Sequence, residues 1–313
     1  MDRRKNNGAT PLVTVVVMTY NHERFLRGCL DGIAMQRTDF PFEALVIDDA
    51  STDSNPEIIR EYAARYPRIF RPFLKKENGY SRGISRYADT AVPEARGKYM
   101  ALCEGDDYWT DPGKLQLQAD FLESHPKYSC CFHLYRIIEE GREKTPQKIF
   151  NLRHSRRCYL HDMLVEMQPQ TATMMFRMSL FDHDGELREH MRRGQIYDTR
   201  LYLALINYGR AYGICRYMSV YRIHAGGVSQ NINRNIDVEA RHLRVLGTYT
   251  GYYQSRYRHL PSRYCLHLRM RKMLAEATHL RREGKYLRYA AKMARTFLVS
   301  PMHFLRIYYT AYR

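Results

Sequence analysis

The sequence predicts an α/β protein whose mostly parallel, doubly wound sheet is flanked by helices and followed by a basic, helical C-terminal segment. One observation is the β-branched run Leu12-Val-Thr-Val-Val-Val-Met18, which is typical of a strand buried on both faces. Another is the alternation of such runs with segments of helical spacing as far as Cys103. The composition agrees, because 313 residues of which 44% are hydrophobic can bury a large core.

Each element of this alternation has a local signal. Apolar residues recur at helical spacing from Phe25 to Ile33. A second helix begins near Asn55, because the following proline suits a first helical turn. The remaining elements as far as Cys103 are strands at Phe42–Ile47, Ile69–Leu74 and Lys98–Cys103, and a helix over Ser81–Ala95.

The second half of the chain is less regular. We expect strands at Tyr128–Ile138, Gln170–Arg177 and Ile214–Ile223. Asp198 opens a helix that Gly209 closes. The predicted domains are an α/β domain over residues 11–230 and a basic, tyrosine-rich helical extension over residues 231–313.

Four loops follow the carboxyl ends of the strands, where sheets of this kind bind ligands: residues 19–22, 48–53, 77–79 and 104–109. None has the glycine fingerprint of a dinucleotide site, and no Gly-Lys-Ser/Thr phosphate loop occurs in the chain. These absences disfavour a nicotinamide-dependent oxidoreductase. A nucleotidyltransferase is also disfavoured, because the loop at 19–22 is neither basic nor glycine-rich.

Asp106 and Asp107 form the most informative of these loops. Two adjacent carboxylates after a buried strand repel each other unless a cation lies between them, and their hard oxygen atoms suit Mg²⁺ or Mn²⁺. The alternative is a helix cap, but Asp111 already supplies one before the following proline. Trp109 either forms a pocket wall or covers this loop.

Asp48 and Asp49 end the second strand in the same way. A carboxylate at this position can accept a hydrogen bond from a base or from ribose hydroxyl groups. A capped turn is the alternative, and it explains Ser51-Thr-Asp53 better than it explains the aspartate pair.

Four motifs in order resemble those of family-2 glycosyltransferases. Asn21, Asp48, Asn78 and Asp106 mark their spacing, at intervals of 27, 30 and 28 residues. The resemblance continues to Tyr221-Arg-Ile-His-Ala-Gly-Gly-Val-Ser229 and so covers about residues 11–230. The motifs are Val15-Val-Val-Met-Thr-Tyr-Asn21, Val46-Ile-Asp-Asp-Ala-Ser-Thr-Asp53, Glu77-Asn-Gly79 and Leu102-Cys-Glu-Gly-Asp-Asp-Tyr-Trp-Thr-Asp-Pro112.

The resemblance implies the GT-A fold, a Rossmann-like mixed sheet, and transfer of a sugar from a nucleotide diphosphate with inversion. It implies that Asp49 contacts uracil or an equivalent base. It also implies that Asp106 and Asp107 hold the ribose, the diphosphate and a Mn²⁺ or Mg²⁺ ion, with Asp107 as the metal ligand. Glu104 stands where the family usually has aspartate. The other nucleotide-sugar residues that it implies are Thr19, Tyr20, Asn21 and Asn78.

Two further residues come from the second half of the resemblance. Asp198 corresponds to the family's general base, although Tyr197 precedes it in place of glycine. From sequence alone a helix cap is the better explanation of Asp198, and it is the resemblance that favours the base. His224 precedes two glycines and corresponds to a region that supplies a metal ligand or a diphosphate contact; a structural histidine is the alternative.

Charge points to an anionic partner. The net charge is +17, and residues 231–313 contain 17 Lys and Arg against 4 Asp and Glu. Tyrosines alternate with these cations, so we expect docking on the anionic inner leaflet of a membrane. The alternatives are a nucleic-acid-binding protein, a solvated basic face, and helices packed on the core.

The polar N-terminus and the absence of long apolar runs predict a cytoplasmic protein, with any membrane contact on the cytoplasmic face. The seven cysteines lack metal-ligand spacing and are expected to be reduced. The predicted substrates are a UDP-sugar and a hydroxyl group of a glycan or lipid-linked acceptor in surface polysaccharide synthesis. No nucleic-acid partner is expected.

Overall fold

The computed structural model describes residues 10–139, 141–144, 152–158, 169–183, 197–227, 262–302 and 304–305. These residues divide into two compact units, one extending to Ile223 and the other beginning at His224. The predicted domain boundary at residue 230 lies outside the described residues.

Among the described residues of the first unit, ten strands form one sheet in the spatial order β3-β2-β1-β4-β9-β6-β10-β5, with β7 on β6 and β8 on β10. The described part of the first unit also contains four helices of eleven or twelve residues. The strands are β1 Val13–Thr19, β2 Phe42–Asp48, β3 Phe70–Leu74, β4 Tyr99–Glu104, β5 Tyr108–Trp109, β6 Tyr128–Glu139, β7 Arg142–Lys144, β8 Arg156–Cys158, β9 Met175–Arg177 and β10 Arg210–Ile223. The helices are α1 Glu23–Ala34, α2 Asn55–Arg65, α3 Lys114–Ser124 and α4 Tyr197–Tyr208.

The central strand β1 is buried on both faces, as its β-branched composition predicts. Val13, Val15 and Val17 pack in one apolar cluster with α1, and Val16 packs in another on the opposite face. Strands β2 and β4 both pair with β1 in parallel. Their carboxyl ends therefore meet at one edge of the sheet, where the loops of the predicted site begin.

The register of these strands fixes which loop residues are neighbours. Thr19 pairs with Asp48, and Met18 pairs with Glu104. On the other side of β4, strand β9 is antiparallel to both β4 and β6. Strand β10 runs parallel to β6, and Ser219 pairs antiparallel with Trp109. The pairing of Ser219 with Trp109 places the end of β10 beside the residues that follow β4.

Three local predictions were wrong. The helix expected over Ser81–Ala95 is a 3-10 turn, then a break at Gly83 (φ 71°), and then a π-helical and α-helical stretch over Tyr87–Glu94. The strand expected at Gln170–Arg177 begins with a 3-10 turn, so only Met175–Arg177 is extended. Helix α3 starts at Lys114 with Gly113 as its N-cap, whereas Asp111 accepts a hydrogen bond from the Gly113 N–H (2.9 Å).

Trp109 is part of the core. Its side chain is buried, its Nε1 donates to the Ala172 carbonyl oxygen (2.9 Å), and Lys114 Nζ lies 3.9 Å from the ring centroid. Burial lowers the pKa of Lys114 to about 7. An added Cβ at Gly32 on α1 would lie 2.7 Å from the Trp109 carbonyl oxygen, so α1 packs directly on β5.

The described cysteines are free thiols. Five of the six are buried, and Cys215 is exposed. Burial raises the pKa of Cys130 to about 12, so this thiol stays protonated and acts as a small apolar side chain.

The second unit contains two described helices, α5 (Ser262–Arg282) and α6 (Tyr286–Val299). Met270 and Leu274 on α5 form an apolar cluster with Phe304, against which Met293 on α6 packs. The helices are thus a two-helix hairpin with its own small core. Among the described helices, none is both long enough and apolar enough to span a bilayer.

Candidate active site

The loop that follows β4 passes very close to the loop that follows β1. The Gly105 N–H donates to the Met18 carbonyl oxygen at 2.8 Å. A Cβ added at Gly105 would lie 2.5 Å from Thr19 Oγ1 and 3.0 Å from His22 Nδ1. Only glycine fits between these side chains, and this close passage fixes Asp106 and Asp107 beside the β1–α1 loop.

Asp107 is the buried acid of this loop. Its Oδ1 accepts a hydrogen bond from the Arg222 N–H (2.9 Å), and its Oδ2 accepts one from Gln170 Nε2. Burial, together with the negative charges of Asp106 and Glu104, raises the pKa of Asp107 well above its usual range. The ionised form is therefore costly in this structure, and a cation near Asp107 would lower that cost.

Asp106 is turned towards the β1–α1 loop. Its Oδ2 lies 3.8 Å from His22 Nε2, and its carbonyl oxygen accepts a hydrogen bond from Arg222 Nη1 (2.7 Å). The guanidinium of Arg222 also lies over the rings of Tyr108 (4.2 Å) and Phe25 (5.4 Å). Arg222 thus ties the end of β10 to the acid loop through both its backbone and its side chain.

Glu104 is held by two protein hydroxyl groups. Its Oε1 accepts a hydrogen bond from the Tyr87 hydroxyl (3.2 Å), and its Oε2 accepts one from Thr171 Oγ1 (2.5 Å). Burial and the charge of Asp106 raise its pKa to about 7, although the Thr171 hydrogen bond acts in the opposite direction. In this structure both carboxylate oxygens are engaged by protein hydroxyl groups.

Asp49 anchors the loop that carries Asn78. Its carboxylate accepts hydrogen bonds from the N–H groups of Gly79 (2.8 Å) and Tyr80 (2.9 Å) and from Arg86 Nε (2.6 Å). Asn78 Nδ2 donates to the Asp49 carbonyl oxygen (3.2 Å). The structure brings Asp49 and Asn78 together, and the assignment of Asp49 to the base stays a prediction.

The β1–α1 loop is joined to the β2–α2 loop by side chains. Asn21 has a left-handed backbone (φ 54°), which asparagine tolerates, and its Oδ1 accepts a hydrogen bond from the Thr52 N–H (2.8 Å). Asn55 Nδ2 donates to Thr19 Oγ1 (2.7 Å) and to Asp48 Oδ1 (3.3 Å). Tyr20 is 43% exposed at the same edge. Thr19 and Asn21 therefore shape the loops, with Tyr20 as the accessible side chain.

Asp198 and His224 are the two predicted site residues that come from the later part of the chain. Asp198 lies in the first turn of α4, and its side chain is outside the described residues. His224 belongs to the second unit, where its carbonyl oxygen accepts a hydrogen bond from the Gly227 N–H (3.0 Å). Their assignments as base and metal ligand remain predictions.

The carboxylate oxygens of Asp106 and Asp107 suit a hard divalent cation that takes most of its ligands from other molecules. Within the described part of the chain, no group of three or more His, Cys, Asp and Glu side chains is arranged to hold an ion. Asp106 and Asp107 can thus supply one or two carboxylate ligands, as Mg²⁺ typically takes together with substrate phosphates. The raised pKa of Asp107 is consistent with such a site.

Three residues of the site were missed by sequence reasoning. Gln170, Thr171 and Arg222 contact the acid loop from positions more than 60 residues away in the chain. No local spacing connects these residues, because the contacts depend on the antiparallel placement of β9 and on the pairing of β10 with β5.

A mostly parallel sheet with paired carboxylates after β4 fits the class that the sequence motifs resemble, the glycosyltransferases with the GT-A fold. Residues 14–185 match the model of the family described as Glycosyl transferase family 2. The match covers more than half of the chain. The chain belongs to this family and carries a glycosyltransferase domain.

The sequence relatives match part of their own length. An uncharacterized protein of Mycobacterium tuberculosis (strain H37Rv) is 50% identical over 135 residues, which are 43% of this chain and 38% of that protein. The match thus spans well under half of the mycobacterial protein.

The structural neighbours have the GT-A fold. Residues 1–349 of Staphylococcus aureus TarS, in complex with UDP-GlcNAc, align with a TM-score of 0.64 at 18% identity, covering 95% of this chain and 86% of that one. The mannosyltransferase PcManGT from Pyrobaculum calidifontis, in complex with GDP-Man and Mn²⁺, aligns with a TM-score of 0.54 at 18% identity, covering 96% and 86%. The predicted GT-A fold is confirmed.

Proposed function

We propose that the protein transfers a sugar from a UDP-sugar to a hydroxyl group of a glycan or lipid-linked acceptor, with inversion at the anomeric carbon. The observation that carries this proposal is the position of Asp106 and Asp107 at the carboxyl end of β4, held against the Thr19 loop by Gly105. The sugar nucleotides named in the two structural neighbours support a donor of this class.

In the proposed reaction the acceptor oxygen attacks the anomeric carbon from the side opposite the diphosphate. The proton of the acceptor hydroxyl passes to the carboxylate of Asp198. The bond from the anomeric carbon to the phosphate oxygen breaks, and the nucleoside diphosphate leaves with the electron pair. Such a base contributes about 10²–10⁴-fold to the rate. Its position at the start of α4 supports this assignment.

Asp106 and Asp107 would hold Mn²⁺ or Mg²⁺, with His224 as the further ligand that the family resemblance implies. When bound, the ion supplies positive charge to the departing diphosphate, so that no general acid is needed. Hydrogen bonds from Gln170 Nε2 and the Arg222 N–H orient the Asp107 carboxylate. Asp49, Asn78 and Tyr20 are proposed to surround the base and the ribose.

We propose further that the protein works in surface polysaccharide synthesis on the cytoplasmic face of a membrane. A lipid-linked acceptor is confined to the bilayer, and the basic C-terminal segment favours an anionic surface.

The test begins with the donor. Purified protein is screened by thermal shift against UDP- and GDP-sugars with and without Mn²⁺, and the stabilising donor is then offered to glycan acceptors. We expect a metal-dependent shift with a UDP-sugar, and NMR of the product should show an inverted anomeric configuration.

Asp106→Asn and Asp107→Asn should lose the donor-dependent shift, whereas Asp120→Asn on the exposed face of α3 should keep it. Donor binding that survives both substitutions would contradict the assignment of the acid loop. A product with retained configuration would contradict the proposed mechanism.

A further inference from the structure

Helix α6 exposes an apolar stripe to solvent. Leu287, Ala291, Ala294 and Leu298 are spaced at i, i+4, i+7 and i+11 and therefore lie on one side of the helix. Leu287 is 90% exposed and Leu298 is 77% exposed. The stripe is about 16 Å long, from the helical rise per residue. The exposed Ala290 widens it on one side, and Phe297 at that edge contacts the Phe304 ring (centroids 5.5 Å apart).

The stripe is not the face that holds α6 in the fold. Met293 packs against the cluster of Met270 and Leu274, and Thr296 is fully buried. These residues lie on the opposite side of the helix from Leu287 and Leu298. Helix α6 thus has two apolar sides, and its packing on α5 uses one of them.

Cations border the stripe. Arg288 and Arg295, seven residues apart, form an exposed row directly beside Leu287 and Leu298. Neither arginine forms an ion pair with a residue that the structure describes, in contrast to Lys292, which pairs with Glu276 on α5. The sequence from residue 284 to residue 313 contains six Lys and Arg and no Asp or Glu. The surface around the stripe is therefore positively charged.

We propose that α6 is a membrane-docking helix that lies flat in the headgroup region of an anionic bilayer, with Leu287 and Leu298 inserted among the acyl chains. Arg288 and Arg295 contact lipid phosphates at the border of the stripe, and the exposed Tyr286 lies at the polar boundary on the other side. A nucleic acid would pair with the arginines but would leave both leucines in water, so the leucines favour lipid.

This docking deepens the proposed function, since it would bring the enzyme to a lipid-linked acceptor, but it does not depend on the donor or on the acid loop. Vesicle binding measured without nucleotide can therefore fail while donor binding succeeds, and the reverse also holds.

The experiment is co-sedimentation of the full chain with vesicles of phosphatidylcholine alone or of equal parts phosphatidylcholine and phosphatidylglycerol, at low and high salt. We expect binding to the anionic vesicles that weakens with salt. L287Q/L298Q, which leaves the charge unchanged, should lower the partition coefficient at least about tenfold, because each leucine loses its apolar burial. R288Q/R295Q should lower it about fivefold per arginine.

Matched control variants make the same kinds of change, apolar to glutamine and arginine to glutamine, in the first unit. M35Q/Y217Q removes two exposed apolar side chains, and R60Q/R65Q removes two exposed charges; both should bind as the parent chain does. Far-UV circular dichroism confirms that the α6 variants keep their helices.

Equal vesicle binding by L287Q/L298Q and the parent chain would overturn the proposal. So would sedimentation with neither type of vesicle, or binding to a single-stranded RNA that needs Arg288 and Arg295 but not the leucines.

Discussion

Replacing Asp107 with asparagine should stabilise the metal-free protein while it abolishes the response to metal. The side chain is buried beside Asp106 and Glu104, and its pKa is raised well above the usual range. A carboxyl whose folded-state pKa is raised destabilises the fold once the pH exceeds its unfolded value, near 3.9. Asparagine keeps the shape of the side chain and removes that cost at neutral pH.

Two magnitudes decide the sign of the change. Every pH unit by which the pKa is raised costs about 1.4 kcal/mol at neutral pH. The substitution also costs about 1 kcal/mol, because the amide cannot accept from Gln170 Nε2 without a rearrangement. Removal of the buried charge is therefore expected to outweigh the lost hydrogen bond, so the variant should be more stable than the parent chain. In a domain of this size each kcal/mol raises Tm by about 2–4 °C, so a rise of a few degrees is expected.

The assay is thermal unfolding of Asp107→Asn and the parent chain in EDTA and in Mn²⁺ at about 100 times its Kd, where ligand stabilisation is about 2.7 kcal/mol. The parent chain should gain roughly 5–10 °C, and the variant should gain nothing. Asp120→Asn removes an exposed carboxylate, and its stability should change by less than about 0.5 kcal/mol. A variant that is less stable in EDTA would refute the like-charge reasoning, and an unchanged Mn²⁺ response would refute Asp107 as a ligand.

The remaining predictions concern the base, the support of Asp107 and the pH dependence of folding. Asp198→Asn should lower transfer about 10²–10⁴-fold with the donor-dependent thermal shift intact; near-normal turnover would show that Asp198 is not the base. Gln170→Leu should lower kcat/KM about 10–150-fold, the value of one hydrogen bond to a charged group, and normal kinetics would show that Asp107 needs no such support. Burial acts to raise the pKa of Glu43, but hydrogen bonds from Arg96, Thr14 and Arg71 outweigh it, so the pKa is lowered. Its stabilisation is thus present above about pH 4.3 and lost as the pH falls further, and urea unfolding should show that Glu43→Gln is less stable at neutral pH and loses less stability on acidification.

The strands and loops around β1 could be predicted because their signals are local. A β-branched run such as Leu12–Met18 satisfies both faces of a parallel sheet at once, and parallel pairing then brings the carboxyl ends of β1, β2 and β4 together without further information. The adjacency of Thr19, Asp48 and Glu104 follows from this register alone.

The stretch from Ser81 to Ala95 shows where local signals fail. Its spacing is helical, but Asp49 accepts hydrogen bonds from the Gly79 and Tyr80 N–H groups and binds Arg86, which holds the start of the segment in a turn. The carboxylate lies 30 residues away in the sequence, so helical periodicity carries no information about it. Tertiary contacts here override propensity.

Glu104 departs from the family pattern, and the structure shows what its longer side chain contacts. In the sequence it stands where the family usually has aspartate. In the structure its longer side chain reaches the hydroxyls of Tyr87 and Thr171, and an aspartate would be shorter by one carbon–carbon bond, roughly 1.5 Å. The two hydrogen bonds fix the Glu104 carboxylate in place, and its charge still raises the pKa of Asp107. A divalent cation bound by Asp106 and Asp107 would therefore offset the mutual repulsion of all three carboxylates.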